Sequence, residues 1–99
     1  MAKVIWTEPA LNALDEIADY IALDNYAAAS RLVRRVFDKV GLLQENPNLG
    51  SIPKELRSTP YRKLLIKPAY VYYRVEGSKV IIIFVERNER DFEISRFSR

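Results

Sequence analysis

The side chains in this chain best suited to chemistry are cations. Lys63, Arg74, Arg87 and Arg90 lie on or beside three short apolar runs in the C-terminal half, at 61–66, 70–75 and 80–85. Cations held on a small sheet can stabilise the charge that builds on a phosphorane when RNA is cut. They can equally dock an acidic or anionic partner. Histidine and cysteine are both absent. That excludes a Ser-His-Asp triad, a His/Cys zinc site, a histidine-pair ribonuclease and a cysteine nucleophile. Any catalysis has to rest on Lys, Arg, Tyr or carboxylates. No metal or cofactor is expected.

Those cations need a scaffold. The chain has 99 residues, of which 48% are hydrophobic and 29% charged, and this fits one small domain spanning 1–99 with a modest core. No apolar run approaches the roughly 20 residues of a membrane helix. The start, Met1-Ala2-Lys3-Val4-Ile5-Trp6, lacks a signal-peptide pattern, so a cytoplasmic protein is expected. Residues 1–50 hold five Lys/Arg against seven Asp/Glu, and residues 51–99 hold eleven against six. The helical half therefore reads as acidic and the rest as basic. Such asymmetry points to a polyanion or an acidic protein segment as partner. A merely soluble basic surface gives the same numbers.

Val4-Ile5-Trp6 reads as a short strand, with Trp6 as a core residue. Thr7 stands where a helix N-cap belongs, and Glu8 and Pro9 suit a first turn. Leu11, Leu14, Ile17, Ala18 and Ile21 form one apolar stripe, and Asp24-Asn25 a stop. Ala29, Leu32, Val33, Val36, Phe37, Val40 and Leu43 make a second stripe, which Pro47 ends near Asn46. Arg31, Arg34 and Arg35 read as its wet face. So short a link predicts an antiparallel helical hairpin.

Residues 47–60 contain Pro47, Gly50, Pro53 and Pro60 and read as a loop with one helical turn near Lys54-Glu55-Leu56. Lys67-Pro68-Ala69 and Glu76-Gly77-Ser78-Lys79 are turns between the three strands. The run 80–85 has no polar residue on either face, so it is central or has a face awaiting a partner. Residues 91–99 have too weak a pattern to assign. The order is β-α-α-β-β-β. The expected class is α+β, with the helical hairpin packed on one face of a mainly antiparallel four-stranded sheet.

These residues resemble the RelE/ParE superfamily of toxins from bacterial type II toxin–antitoxin modules. The likeness runs through Val4-Ile5-Trp6-Thr7-Glu8-Pro9-Ala10-Leu11, Leu14-Asp15-Glu16-Ile17-Ala18-Asp19-Tyr20-Ile21-Ala22 and Asp24-Asn25-Tyr26-Ala27-Ala28. It continues in Asn46-Pro47-Asn48-Leu49-Gly50, Tyr61-Arg62 and Tyr72-Tyr73-Arg74-Val75. The helix sequence and the Trp6-Thr7 motif look more like the ParE side. The resemblance implies a toxin neutralised by a cognate antitoxin. ParE-like members inhibit DNA gyrase by binding; RelE-like members cut mRNA on the ribosome.

The residues fit the two branches unequally. RelE-like nucleases use lysines and arginines on the sheet and a C-terminal tyrosine. Lys63 matches one such lysine. Tyr70 or Val71 stands where one arginine is expected and Asn88 where another is, although a one-residue slip puts Arg87 in register. No tyrosine follows Tyr73; Phe92 or Ile94 takes that place. ParE-like members often carry histidine and then arginine at the end of the last strand, and here Arg87 replaces the histidine. The leading expectation is a ParE-like gyrase inhibitor, with Arg62, Arg74, Arg87 and Arg90 meeting the target. The alternative is a RelE-like nuclease that uses Lys63, Arg74, Arg87 and Arg90. A third is a degenerate member that keeps only antitoxin binding.

Residue chemistry leaves further readings open. Arg62 and Arg74 also read as solvated strand residues or as partners of Glu76 and Glu86. Tyr70, Tyr72 and Tyr73 could stack on bases, but sheet tyrosines with surface hydroxyls look the same. Nothing in these residues sets an oligomeric state.

Overall fold

The computed structural model describes residues 1–88. Its elements are β1 (Lys3–Trp6), α1 (Glu8–Ala22), α2 (Tyr26–Gly41), a 3-10 turn (Leu42–Gln44), a second 3-10 turn (Lys54–Leu56), β2 (Tyr61–Ile66), β3 (Ala69–Glu76) and β4 (Lys79–Arg87). The strands stand in the order β1-β4-β3-β2. β1 runs parallel to β4, and the other two pairings are antiparallel. The α+β architecture and the order read from the sequence are both present.

Thr7 starts α1 and also ties it to the sheet. Its hydroxyl accepts from the Ala10 N–H at 3.3 Å and donates to the Ile82 carbonyl at 2.7 Å. One side chain thus caps the helix and closes the end of β1 against β4. Asn25 is less a stop than a start: its side chain accepts from the Ala28 N–H at 3.0 Å and caps α2. The second helix was expected to run to about Asn46. It leaves α geometry at Gly41 and tightens into the 3-10 turn, where the Leu42 N–H bonds to Lys39 and Val40 carbonyls.

Both helices pack on one face of the sheet. Leu14, Ile17, Leu32, Val36, Val40 and Leu43 meet Leu64, Ile66, Val71, Tyr73, Val80, Ile82 and Val85 in one buried cluster. Trp6 is half-buried against this cluster, with its ring centroid 4.8 Å from that of Phe37.

One irregularity sets which side chains reach which face. Tyr72 pairs with Phe84 but Tyr73 pairs with Ile82, so Ile83 is an extra residue in β4. Before this bulge Val80 and Ile82 point to the helices; after it Val85 does, and Phe84 turns outward with 46% of its surface exposed. The all-apolar run of β4 is therefore an inner strand of the sheet whose second face is partly open.

The helical half is not uniformly acidic. α1 carries Glu8, Asp15, Glu16 and Asp19 and no base. α2 carries Arg31, Arg34, Arg35 and Lys39 against Asp38 alone. The acidic balance read over residues 1–50 belongs to α1 and the loops, while α2 extends the basic side of the molecule.

Candidate interaction surface

The face of the sheet turned away from the helices collects Tyr61, Lys63 and Leu65 from β2, Tyr70, Tyr72 and Arg74 from β3, and Phe84 and Glu86 from β4. Register places Lys63 opposite Tyr72, Tyr72 opposite Phe84, and Tyr70 opposite Glu86. The Lys63 ammonium lies 4.0 Å from the centre of the Tyr70 ring and 5.6 Å from that of Tyr72. It is thus held against two π faces. Arg74 bonds Glu76 on its own strand, Nε to Oε1 at 3.0 Å.

The Tyr72 hydroxyl donates to Glu86 Oε2 at 2.6 Å. Its pKa is pushed well up, first by burial, then by the hydrogen bond to the Glu86 carboxylate and by that carboxylate's charge. A phenol held so firmly protonated is a poor general base near neutral pH.

Arg62 lies on the other face and is occupied by the chain itself. It donates to the Gly50 carbonyl at 2.8 Å. The same loop is fastened from below by Tyr73, whose hydroxyl donates to the Pro47 carbonyl at 2.7 Å and accepts from the Gly50 N–H at 2.8 Å. Ser51 then exchanges both backbone bonds with Lys63, at 3.0 and 2.8 Å. The stretch 47–51 therefore closes part of the outer edge of β2. By residue type Tyr73 reads with Tyr70 and Tyr72 as a sheet tyrosine with a surface hydroxyl. The signal that separates it was present: Val71, Tyr73 and Val75 alternate with Tyr70, Tyr72 and Arg74, so Tyr73 belongs to the inner set.

Arg87 stands apart from Lys63 and Arg74. It pairs with Ala69, whereas Arg74 pairs with Ile81. The five-residue step from Ala69 to Arg74 along β3 is about 17 Å. The bulge also turns Arg87 to the helix side, where its guanidinium lies 5.2 Å from the Tyr20 ring of α1. The structure thus brings Lys63 and Arg74 together on one face and places Arg62 and Arg87 on the other. Arg90 lies outside the described residues.

Comparison with known proteins follows the same fold. Residues 4–92 match the family described as ParE toxin of type II toxin–antitoxin system, parDE. The chain belongs to this family.

Other members and neighbours surround this ParE-family toxin. It is 33% identical to the putative toxin Y4kP of Sinorhizobium fredii over 89% of this chain and 91% of that protein. It is 37% identical to toxin RelE2 of Caulobacter vibrioides over 78% of this chain and 85% of that one. Among solved structures, the chromosomal ParDE system of P. aeruginosa matches with a TM-score of 0.73 at 30% identity, covering 88% of this chain and 96% of that one. The RelBE2 complex of Mycobacterium tuberculosis shares the fold, with a TM-score of 0.60 at 18% identity over 87% and 96%. The chain is thus a toxin of the RelE/ParE superfamily, and relatives with names from both branches share its fold.

Proposed function

We propose that this ParE-family toxin acts in the cytoplasm by binding DNA gyrase, and that a cognate antitoxin neutralises it. The observation that carries the reading is the separation of the cations. RNA cleavage needs a base, an acid and cations gathered about one phosphate. Here Lys63 and Arg74 occupy one face and Arg87 the other, with Arg87 and Arg74 about 17 Å apart along the sheet. Lys63 is engaged by two rings, Arg74 by Glu76, and Tyr72 is held protonated by burial and Glu86. A binding surface can use dispersed contacts of this kind, with Arg74 and Arg87 as candidate target contacts and Arg62 bracing the loop beside them. The ParDE neighbour at 30% identity adds support.

The alternative, ribosome-dependent mRNA cleavage, draws on Lys63, Tyr72 and Arg74 sharing one face and on the relative named RelE2. Purified toxin in a gyrase supercoiling assay separates the two. Inhibition that antitoxin reverses supports the proposal. Unchanged supercoiling at excess toxin, together with ribosome-dependent cuts in mRNA, replaces it with the alternative.

A further inference from the structure

The cleft between α2 and the outer edge of β2 combines a basic rim with an apolar floor. Its volume is about 680 Å3, and Arg35, Asp38, Lys39, Leu42, Leu65 and Lys67 line it. Leu42 is 57% exposed and Leu65 39%. Arg35 Nη2 donates to the Lys67 carbonyl at 2.5 Å and Lys39 Nζ to the Leu65 carbonyl at 3.0 Å. Among the described residues none of Arg35, Lys39 and Lys67 has a carboxylate within ion-pair distance. Their only shown acceptors are neutral carbonyls, and a carboxylate makes a hydrogen bond roughly twice as strong.

We propose that this cleft receives an acidic segment of the partner protein that holds the toxin inactive. The segment's carboxylates meet Arg35, Lys39 and Lys67, and one apolar side chain sits between Leu42 and Leu65. The proposal rests on the antitoxin reading above and adds its place and chemistry. Charge complementarity selects the occupant: three cations against Asp38 at the rim favour an acidic ligand. The floor selects protein over nucleic acid. Two exposed leucines offer a polyphosphate nothing, and no aromatic ring lines the cleft for a base to stack on. The location also fits. Beyond Lys63, which Ser51 covers, the outer edge of β2 is guarded by these two α2 side chains alone among the described contacts.

The test titrates the isotope-labelled toxin with a seven-residue synthetic peptide alternating glutamate and leucine, followed by amide NMR. A lysine–leucine peptide and an oligothymidylate serve as comparisons. Shifts confined to residues 35–42 and 65–67 are expected, with affinity falling about tenfold in Arg35→Glu/Lys39→Glu and clearly in Leu42→Ser. All three positions are exposed, so these variants should fold. The proposal falls if the acidic peptide leaves the cleft unperturbed, if the variants bind it equally, or if the oligothymidylate binds there more tightly. It falls too if the toxin dimerises through the cleft in sedimentation. A second arm uses the protein encoded beside the toxin gene. A wild-type complex that Arg35→Glu/Lys39→Glu weakens about tenfold supports the site. A complex equally tight with the variant overturns the site and leaves the antitoxin reading standing. No wild-type complex overturns that reading, and the peptide titration alone then decides the cleft.

Discussion

The Tyr73 hydroxyl and the Gly50 backbone form a closed contact. The hydroxyl accepts from the Gly50 N–H at 2.8 Å, and a Cβ added to Gly50 would lie 2.7 Å from Tyr73 Cε1 and 3.1 Å from the Lys63 carbonyl oxygen. Tyr73→Phe keeps the ring and leaves a buried N–H without its partner. It should cost about 1–3 kcal/mol in urea denaturation. Gly50→Ala should cost a similar amount by forcing ring and backbone apart, about 1–3 kcal/mol. The double variant should cost less than the sum, because both changes break the same contact.

Thr7 serves two elements at once, so its loss should exceed that of an ordinary cap. Thr7→Val keeps the shape but removes both the bond to Ala10 and the bond to the Ile82 carbonyl. A loss of about 1–2 kcal/mol is expected in thermal or chemical denaturation. Thr7→Ser should retain most of the stability.

Tyr72 and Tyr73 both have pKa values raised by burial above the ordinary tyrosine value of 10.0; at Tyr72 the Glu86 carboxylate raises it further. The native state therefore keeps protons that the unfolded chain releases. Their contribution to stability is fully present below pH 10 and is lost as pH rises from there. Absorbance titration should find two tyrosines ionising above the ordinary tyrosine range. Glu86→Gln should move one of the two late ionisations down and leave the other in place.

Arg87 and Arg74 separate target contact from fold. Arg87→Ala removes the guanidinium over the Tyr20 ring, worth about 0.5–1 kcal/mol at an exposed site. Growth arrest on induction should fall at least about tenfold in effective dose, with antitoxin binding unchanged. Arg74→Ala should behave likewise if both contact the target. Retained toxicity in both variants would remove them from the contact surface.

Much of the frame was legible because local chemistry and tertiary role agree. Thr7, Pro9, most of the two apolar stripes, the turn at Lys54-Glu55-Leu56 and the Gly77 turn stand where residue types put them; Gly77 has φ 57, as the first residue of a tight hairpin turn requires. Leu11 and Phe37 of the stripes are exposed, while Ala10 and Ala13, small enough to sit close under the sheet, are buried in the helix face instead. The position of β1 beside β4 was not legible, since three apolar residues specify a strand but not its neighbour. The face reached by Arg87 was hidden for a sharper reason. Counting by twos from Val80 puts Glu86 inward and Arg87 outward, and only the extra residue at Ile83 reverses them. The basic role of α2 was obscured by summing charge over half a chain when charge is sorted by helix.

The bulge at Ile83 has one more result. Upstream of it an odd residue number in β4 means solvent; downstream it means contact with the helices. Were the bulge flattened with Ile83 kept in the ladder, strict alternation would exchange the surroundings of Glu86 and Arg87, giving Tyr20 a carboxylate for a neighbour and Tyr72 a guanidinium; deleting Ile83 would restore regular pairing and leave both side chains on their present faces. The bulge thus absorbs one backbone unit that would otherwise reverse charge on two surfaces at once, so the backbone geometry at that point of the strand fixes surface chemistry as firmly as side-chain identity does.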